Sequence, residues 1–421
     1  MRKTIDDILA RPLSIDDAVT VALLGSPQLR ATFEDLALAQ ADVAQAARLS
    51  NPTLSLGMTA WEQEHIKPNF FVSVEQSFLD LAMLPLRKRA ARSMLEVAKM
   101  RVGAQVLVLA GEVRAAYLTV VAAEQNVAMR KIVLSAAEAS AELAGRQHKA
   151  GSGTELARRS EEALASEVRV ALAESQHEAA GAREKLVRLL GLFGERTALR
   201  LPPSLPPVPD ADLSFDTLES VAVEQRLDLA AARQEVAAVG DALSAAKTAR
   251  WTGFLNVEVE AARRRGDKAL VFGPRASIEL PLFDQRQAAI ARLESLERAS
   301  QARVAALSIE IRSDVRAATA EVITSRRRAI ELRDVLVPTR ERMVALTLER
   351  YNAMLSGVYE LLSARRSELE AYQLYLHAVR DYWIARSTLE RAVGTRLDKL
   401  PATTAVPPSA KPRPAVSEVS P

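Results

Sequence analysis

One plan is written twice in this chain. Leu13-Ser14-Ile15-Asp16 returns as Leu213-Ser214-Phe215-Asp216, and Ala22, Leu29, Ala31, Ala37 and Ala46 each recur 200 positions later (213 minus 13). Farther along, Val72-Ser73-Val74-Glu75 through Phe78-Leu79-Asp80 corresponds to Ala276-Ser277-Ile278-Glu279 through Leu282-Phe283-Asp284, at an offset of 204 (284 minus 80). That second offset also pairs Arg146 with Arg350 and Gly153 with Gly357. A repeat of roughly 200 residues restricts the fold severely, because whatever one copy builds the other must be able to build as well.

Composition indicates the building material. Of 421 residues, 48% are apolar but only 4% aromatic. The apolar weight falls on Ala, Leu and Val, and Ala, Glu, Arg and Leu dominate, as in long packed helices. Lys and Arg total 56 against 53 Asp and Glu, a balance that leaves no electrostatic footprint for nucleic acid. With no cysteine, disulfides, thiolate metal sites and thiol catalysis are excluded. No uninterrupted apolar run of about 18 residues occurs, so no transmembrane helix is expected. The richest stretch, Val102 to Ala123, contains Gln105, Glu112 and Arg114. The opening Met1-Arg2-Lys3-Thr4-Ile5-Asp6-Asp7 lacks the apolar core of a signal peptide. Read literally, that implies a cytoplasmic chain; an export signal outside the given residues is the alternative.

Within one copy the hydrophobic period changes twice. Ser14 is a predicted N-cap with Asp16 and Asp17 in the first turn. Val19, Ala22, Leu23, Leu29, Phe33, Leu36 and Val43 then predict a helix to about Ser50, stopped by Asn51-Pro52. The period then drops to two. Leu54, Leu56, Met58 and Ala60 share one face, and Thr53, Ser55, Gly57 and Thr59 the other. A second strand from Asn69 to Phe78 turns Phe70, Val72, Val74 and Phe78 one way and Ser73, Glu75 and Ser77 the other, which reads as a hairpin. Strands of this length also suit a tilted bilayer crossing. Helical spacing resumes from about Leu84 to His148, breaks at Lys149 to Gly153, and returns from Thr154 to about Leu190.

The second copy predicts the same order: a helix over Ser214 to Arg250, strands at Phe254 to Ala261 and Arg275 to Leu282, a long helix from Gln285 to Tyr351, and a return helix to Val393. Pro338 stands where the first copy has Leu134 and must kink or break the long helix. The domain plan is therefore a first repeat over 1–200 with its hairpin at about 53–78, a Pro-rich link over 201–212, a second repeat over 213–395 with its hairpin at about 254–282, and a disordered tail over 396–421.

The helices alone suit a soluble antiparallel coiled-coil scaffold. The hairpins point elsewhere, because four strands cannot close a barrel alone and an open sheet leaves its edges unpaired. Several copies of the chain can close it, with lipid outside and water within. Trp61 and Trp251, each beside a strand end, suit an interfacial belt. Enzyme readings find little support. His65, His148, His177 and His377 are scattered without ligand-like spacing, and Gly151-Ser152-Gly153 lacks the Lys-Ser/Thr of a phosphate loop. No catalytic, cofactor or metal site is expected.

In the order and spacing of these motifs the chain resembles the TolC family of outer-membrane efflux channels over about residues 13 to 395. The resemblance rests on the paired Leu-Ser-x-Asp openings, on Phe78-Leu79-Asp80 and Pro281-Leu282-Phe283-Asp284, on Arg350-Tyr351-Asn352-Ala353-Met354 through Gly357, and on the endings Leu189-Leu190-Gly191 and Ala392-Val393-Gly394. The stretch from Tyr351 to Leu362 looks most like the heavy-metal branch. The resemblance implies a mainly α fold with a small β-barrel contribution, assembled as a homotrimer with a twelve-stranded barrel in outer-membrane lipid and an α-helical tunnel in the periplasm. It also implies a periplasmic adaptor and an inner-membrane pump of the resistance-nodulation-division (RND) type. Such a channel is a passive exit duct for metal cations or drugs.

The same resemblance places a periplasmic gate at the helix turns, with Gly151, Gly153, Glu155, Tyr351, Ser356, Gly357 and Glu360 as candidate residues. Tyr351 aligns with a family tyrosine that helps hold the tip closed, while Ser356 replaces the arginine that usually follows. Glu155 and Glu360 read either as acidic rings or as solvated first-turn glutamates. Glu75, Glu258, Glu260 and Glu279, on the polar strand faces, are expected to line the pore, since lipid exposure would cost several kcal/mol each. Arg263 to Arg265 are expected in an extracellular loop.

Overall fold

The computed structural model describes residues 2–59, 69–210, 215, 217–248, 250, 255–264, 271–278 and 282–397. Trp61, Trp251, Arg265, Glu279 and residues 398–421 lie outside these. The described chain runs α1 (Arg2–Leu9), α2 (Ile15–Gly25), α3 (Pro27–Ala46), β1 (Thr53–Thr59), β2 (Asn69–Ser77), α4 (Phe78–Lys149) and α5 (Glu155–Leu190). It continues with α6 (Leu218–Gln225), α7 (Leu227–Thr248), β3 (Leu255–Arg264), β4 (Val271–Ile278), α8 (Gln287–Glu331), a π-helical turn at Leu332–Leu336, α9 (Val337–Asn352) and α10 (Val358–Val393). Contacts divide it into two compact units, one from 1–26, 108–225 and 311–421 and the other from 27–107 and 226–310.

Local chemistry explains where the helices start and stop. Ser14 caps α2, its Oγ accepting the Asp17 amide at 3.1 Å. The single leading helix expected to Ser50 is two helices, because Pro27 has no amide to donate and forces Ser26 to φ −63°, ψ 118°. The second leading helix also breaks, at Arg226 between α6 and α7. There the Arg226 guanidinium grips Asp228 at 3.0 and 2.5 Å, and Asp228 accepts the Leu229 amide. α4 begins six residues earlier than expected (84 minus 78) and absorbs Pro85 at the loss of one backbone hydrogen bond. Pro338 acts on the second long helix as expected. It would clash with the Asp334 carbonyl in a regular helix, and the π turn just before it widens the spiral, with the Val337 amide donating to Leu332.

α4 includes an 18-residue stretch apolar enough, by length and composition alone, to cross a membrane, and 39% of it is buried inside the protein. In the first unit, Val113, Ala116, Tyr117, Leu118, Val120 and Val121 of α4 are buried. Also buried in this unit are Ala18, Val21 and Ala22 of α2, Leu186 and Leu190 of α5, Ile311 and Val315 of α8, and Tyr382 and Leu389 of α10. The Tyr117 hydroxyl donates to the Leu13 carbonyl at 2.7 Å. Gly25 allows close approach, since a Cβ there would stand 2.5 Å from the Leu190 carbonyl oxygen.

The Pro-rich link is pinned along this unit. Arg183 donates to the Leu199 carbonyl at 3.1 Å, Gln125 accepts the Leu205 amide at 3.3 Å, and Trp383 Nε1 donates to the Pro206 carbonyl at 2.9 Å. Arg326 donates to the carbonyls of Pro209 and Asp210, and Arg333 pairs with the Asp210 carboxylate at 2.8 Å.

In the second unit, α4 packs against α7: Arg101 pairs with Glu235 at 2.6 Å, and Gly103 faces Leu227. Lys247 pairs with Glu294 at 2.9 Å, tying α7 to α8. The four strands form one antiparallel sheet in the order β1-β2-β3-β4. The second hairpin departs from the expected strands by running through Arg264 and resuming at Val271. Arg263 and Arg264 therefore belong to β3, opposite Phe70 and Asn69, and not to a loop. Pro274 sits in the edge strand, where a missing donor removes at most one ladder bond.

The two helix turns share one backbone pattern. Ala150, Gly151 and Ser152 donate to Arg146, His148 and Gln147; Ala353, Met354 and Leu355 donate to Glu349, Tyr351 and Arg350. The equivalence offset is 203 (354 minus 151), one short of the sequence alignment, so Gly151 corresponds to Met354 and Gly153 to Ser356. Gly151 has φ +72° and Met354 φ +58°, a region that disfavours any side chain with a Cβ. Met354→Gly is expected to raise stability by about 0.5–1 kcal/mol, and Gly151→Ala to lower it by about 1 kcal/mol. Gly25→Ala is expected to cost about 1–3 kcal/mol by pressing on backbone, and Gly103→Ala less, because the flexible Leu227 end can move. Denaturant midpoints of the four variants check both pairs.

Candidate functional site

Two regions collect the residues singled out in the sequence: the sheet of the second unit and the helix turns of the first. The sheet register sorts every described strand residue onto one of two faces. On one, Leu54, Val74, Val259 and Pro274 form a row, and Leu56, Val72, Ala261 and Phe272 form the next. Among the described residues nothing covers this face: Leu56 is 72% exposed and Phe272 69%.

The other face is mainly polar. Thr53, Glu75, Glu258 and Arg275 form one row, and Ser55, Ser73, Glu260 and Gly273 the next. Ser73 is buried. The structure thus brings together three of the four strand glutamates, on the face where the sequence put them. It adds a residue that sequence reasoning did not assign. Arg275 lies 3.6 Å from Glu258 and 3.0 Å from Glu260, so one cation offsets part of the carboxylate charge. Its sequence signal is alternation with Ser277, at the first residue of the strand expected from Arg275 to Leu282.

A third row on this face is apolar: Gly57, Phe71, Ala262 and Val271. The Phe71 ring lies on Gly57, where a Cβ would stand 2.1 Å from the ring edge. A bare glycine in a strand is covered by a cross-strand aromatic, which holds the register. The alternation was legible in sequence; the fit between these two residues was not.

At the first helix turn, Thr154 caps α5 by accepting the Ala157 amide at 3.1 Å. Glu155 then accepts from Arg158 at 2.5 Å and Arg159 at 2.9 Å. Hydrogen bonds from Arg158 and then Arg159 hold the Glu155 carboxyl down at about 2. His148, which looked isolated in sequence, sits between Glu155 (3.2 Å from Nε2) and the Gly153 carbonyl (3.2 Å from Nδ1). The turn is therefore a compact charged clasp around Glu155.

The second turn is apolar where the first is charged. Met354 is 94% exposed, and Tyr351, Leu355 and Tyr359 are also exposed. Gly357 takes the N-cap position with φ −85° and ψ 161°, the place of Thr154. By the same offset Glu360 corresponds to Ala157 and not to Glu155. The Ser356 hydroxyl is buried without a hydrogen-bond partner. Among the described residues the Tyr351 hydroxyl also has no partner. No group of three or more His, Cys, Asp or Glu able to hold a metal ion occurs among the described residues.

Residues 218–395 match the family described as outer membrane efflux protein. No curated protein matches the sequence. Among solved structures, a membrane protein from Pseudomonas aeruginosa is similar with a TM-score of 0.78 and 21% identity, covering 90% of this chain and 92% of that one. The CmeC outer membrane channel of Campylobacter jejuni gives a TM-score of 0.78 at 14% identity, covering 90% and 85%. The outer membrane protein VceC of Vibrio cholerae gives 0.75 at 16%, covering 91% and 96%. At these identities the structures establish the fold. The chain thus has the fold of these outer membrane channels over nine-tenths of its length, and its residues 218–395 match the outer membrane efflux protein family.

Proposed function

We propose that this chain is the outer-membrane channel component of a tripartite efflux system, a passive exit duct for metal cations or drugs from periplasm to exterior. The observation that carries the reading is the two-faced sheet: one face apolar and uncovered, the other polar and charged, with β1 and β4 left as open edges. Inside a bilayer every backbone group needs a partner, and only closure of the strands into a barrel provides it. A homotrimer supplies three sheets of four strands, twelve in all, each β4 meeting the next β1. The family match and the fold support placing the barrel in outer-membrane lipid and the helical body in the periplasm.

In this arrangement the two repeats each contribute a hairpin to the barrel and a helical pair to an α-helical tunnel. Glu75, Glu258, Glu260 and Glu279 face the water-filled lumen, with Arg275 among them. The turns around Gly151 and Gly153 and around Tyr351, Ser356 and Gly357 form the periplasmic tip, with Glu155 inside its clasp and Glu360 one turn into α10. A periplasmic adaptor and an inner-membrane RND pump complete the path. The pump supplies the energy.

Reconstitution tests the reading. Purified protein is expected to run as a trimer and to conduct ions in planar bilayers; a monomer that stays in the cytosol without detergent would point to the coiled-coil scaffold instead. E258Q/E260Q is expected to lower cation-over-anion permeability roughly twofold or more, and R275Q to raise it, read from reversal potentials under a salt gradient.

The clasp has its own acid limb. Glu155 titrates lower in the folded turn than in the open chain, so its contribution is present above its ordinary value of 4.5 and disappears as pH falls towards about 2. Amide exchange in residues 147–158 is expected to show no acid-induced opening traceable to Glu155 from pH 7 to 5, then increasing opening below 4.5. In E155Q that acid limb is absent.

A further inference from the structure

A second cluster of charge, which the duct does not use, follows β2. Strand β2 ends at Ser77 and runs directly into α4 at Phe78. The sequence then passes Leu79, Leu81, Met83, Leu84 and Leu86 before reaching Arg87-Lys88-Arg89 and Arg92. Apolar residues leaving a membrane segment and giving way at once to basic ones is the pattern of an anionic headgroup site.

The structure gathers part of this cluster into one place. Lys88, Arg89 and Arg92 line a cleft of about 430 Å³ together with Pro85, Ser93, Glu96 and Gln234, and Glu96 is paired with Lys99 at 2.7 Å. Spacings of three and four residues put the three cations on one stripe of α4. Ion pairing is common elsewhere on these helices, as at Arg101–Glu235 and Lys247–Glu294. Among the described residues, however, none of these three makes an ion pair. The acid that lines the cleft is engaged by Lys99, and three long cations beside it call for an anion from outside the chain.

Position selects which anion. Lys88 is 11 residues beyond Ser77 and Arg92 is 15 (88 and 92 minus 77), about 16–22 Å along the helix. Helical side chains lean back towards the N-terminus, here towards the sheet, and Lys and Arg stems reach several ångströms farther. Antiparallel order puts the end of β4 at the same edge as the end of β2. Just after β4, Leu282 is 71% and Phe283 94% exposed, as suits side chains that rest in an interface.

We infer that Lys88, Arg89 and Arg92 form a docking surface for the phosphate of anionic phospholipids in the periplasmic leaflet of the membrane that the hairpins enter. The inference rests on the outer-membrane reading above. It gives the channel an electrostatic collar that fixes its depth and rotation against the bilayer.

The test compares the full-length wild-type protein, K88Q/R89Q/R92Q, and a control that removes the same charge elsewhere, K131Q/R303Q/R312Q. Phosphatidylglycerol and phosphatidylcholine retained from mixed micelles are counted by native mass spectrometry. Wild type and control are expected to hold phosphatidylglycerol on the order of 100-fold more tightly than the triple variant, with no difference for phosphatidylcholine. Equal phosphatidylglycerol retention by wild type and triple variant overturns the collar, as does full displacement of the lipid by millimolar inorganic phosphate, which would mark a free-anion site. Planar-bilayer conductance separates the two failures. A wild-type chain that conducts but shows no lipid preference loses only the collar, whereas one that neither inserts nor conducts loses the channel reading as well.

Discussion

The ladder of hydrogen bonds in the four-stranded sheet is the constraint from which the rest follows. Two edge strands leave a row of donors and acceptors unpaired, and one whole face leaves Leu, Val and Phe side chains uncovered. Water tolerates open edges but not that apolar face; lipid tolerates the face but not the edges. Closing the sheet with further copies inside a bilayer satisfies both demands.

Local chemistry makes the two copies unequal where the sequence pattern alone makes them look alike. The first turn uses Gly151 in its left-handed position, a threonine cap and a clasp of Glu155, His148, Arg158 and Arg159. The second puts Met354 in the strained position, Gly357 at the cap and a set of exposed apolar side chains around it. The first long helix is continuous over 72 residues, while the second is interrupted by a π turn before Pro338. Two turns with one backbone hydrogen-bond pattern are therefore one polar and one greasy.

Much of this was legible in the residues. Alternation at Leu54, Leu56 and Met58 and at Val72 and Val74 located the first hairpin and both of its faces, because a strand turned over by one residue would bury polar groups. The helix stops at Gly191 and Gly394 were equally plain, since both glycines take left-handed conformations at C-caps. The second hairpin was misplaced at Arg263 and Pro274. Residues that usually mark a loop were outweighed there by the partner strand on one side and tolerated at a sheet edge on the other. The break at Ser26 was missed although Pro27 announced it, because the apolar spacing continued across it. Arg275 beside Glu258 and Glu260 was beyond sequence reading, since cross-strand neighbours depend on register. The tip alignment was off by one for a related reason: identical letters, Gly153 and Gly357, attracted each other although the hydrogen bonds place them at different points of the turn.

The Pro-rich link has a consequence for how this family of chains can change. Arg183, Arg326 and Trp383 hold it through the carbonyls of Leu199, Pro206, Pro209 and Asp210. A carbonyl is supplied by every amino acid, so the identity of most residues in this girdle is chemically free while its path is not. Variation should therefore gather in the strap, and constancy in the side chains that clasp it. A region that looks like filler in the sequence would then drift quickly without altering how tightly the helices beneath it are bound together.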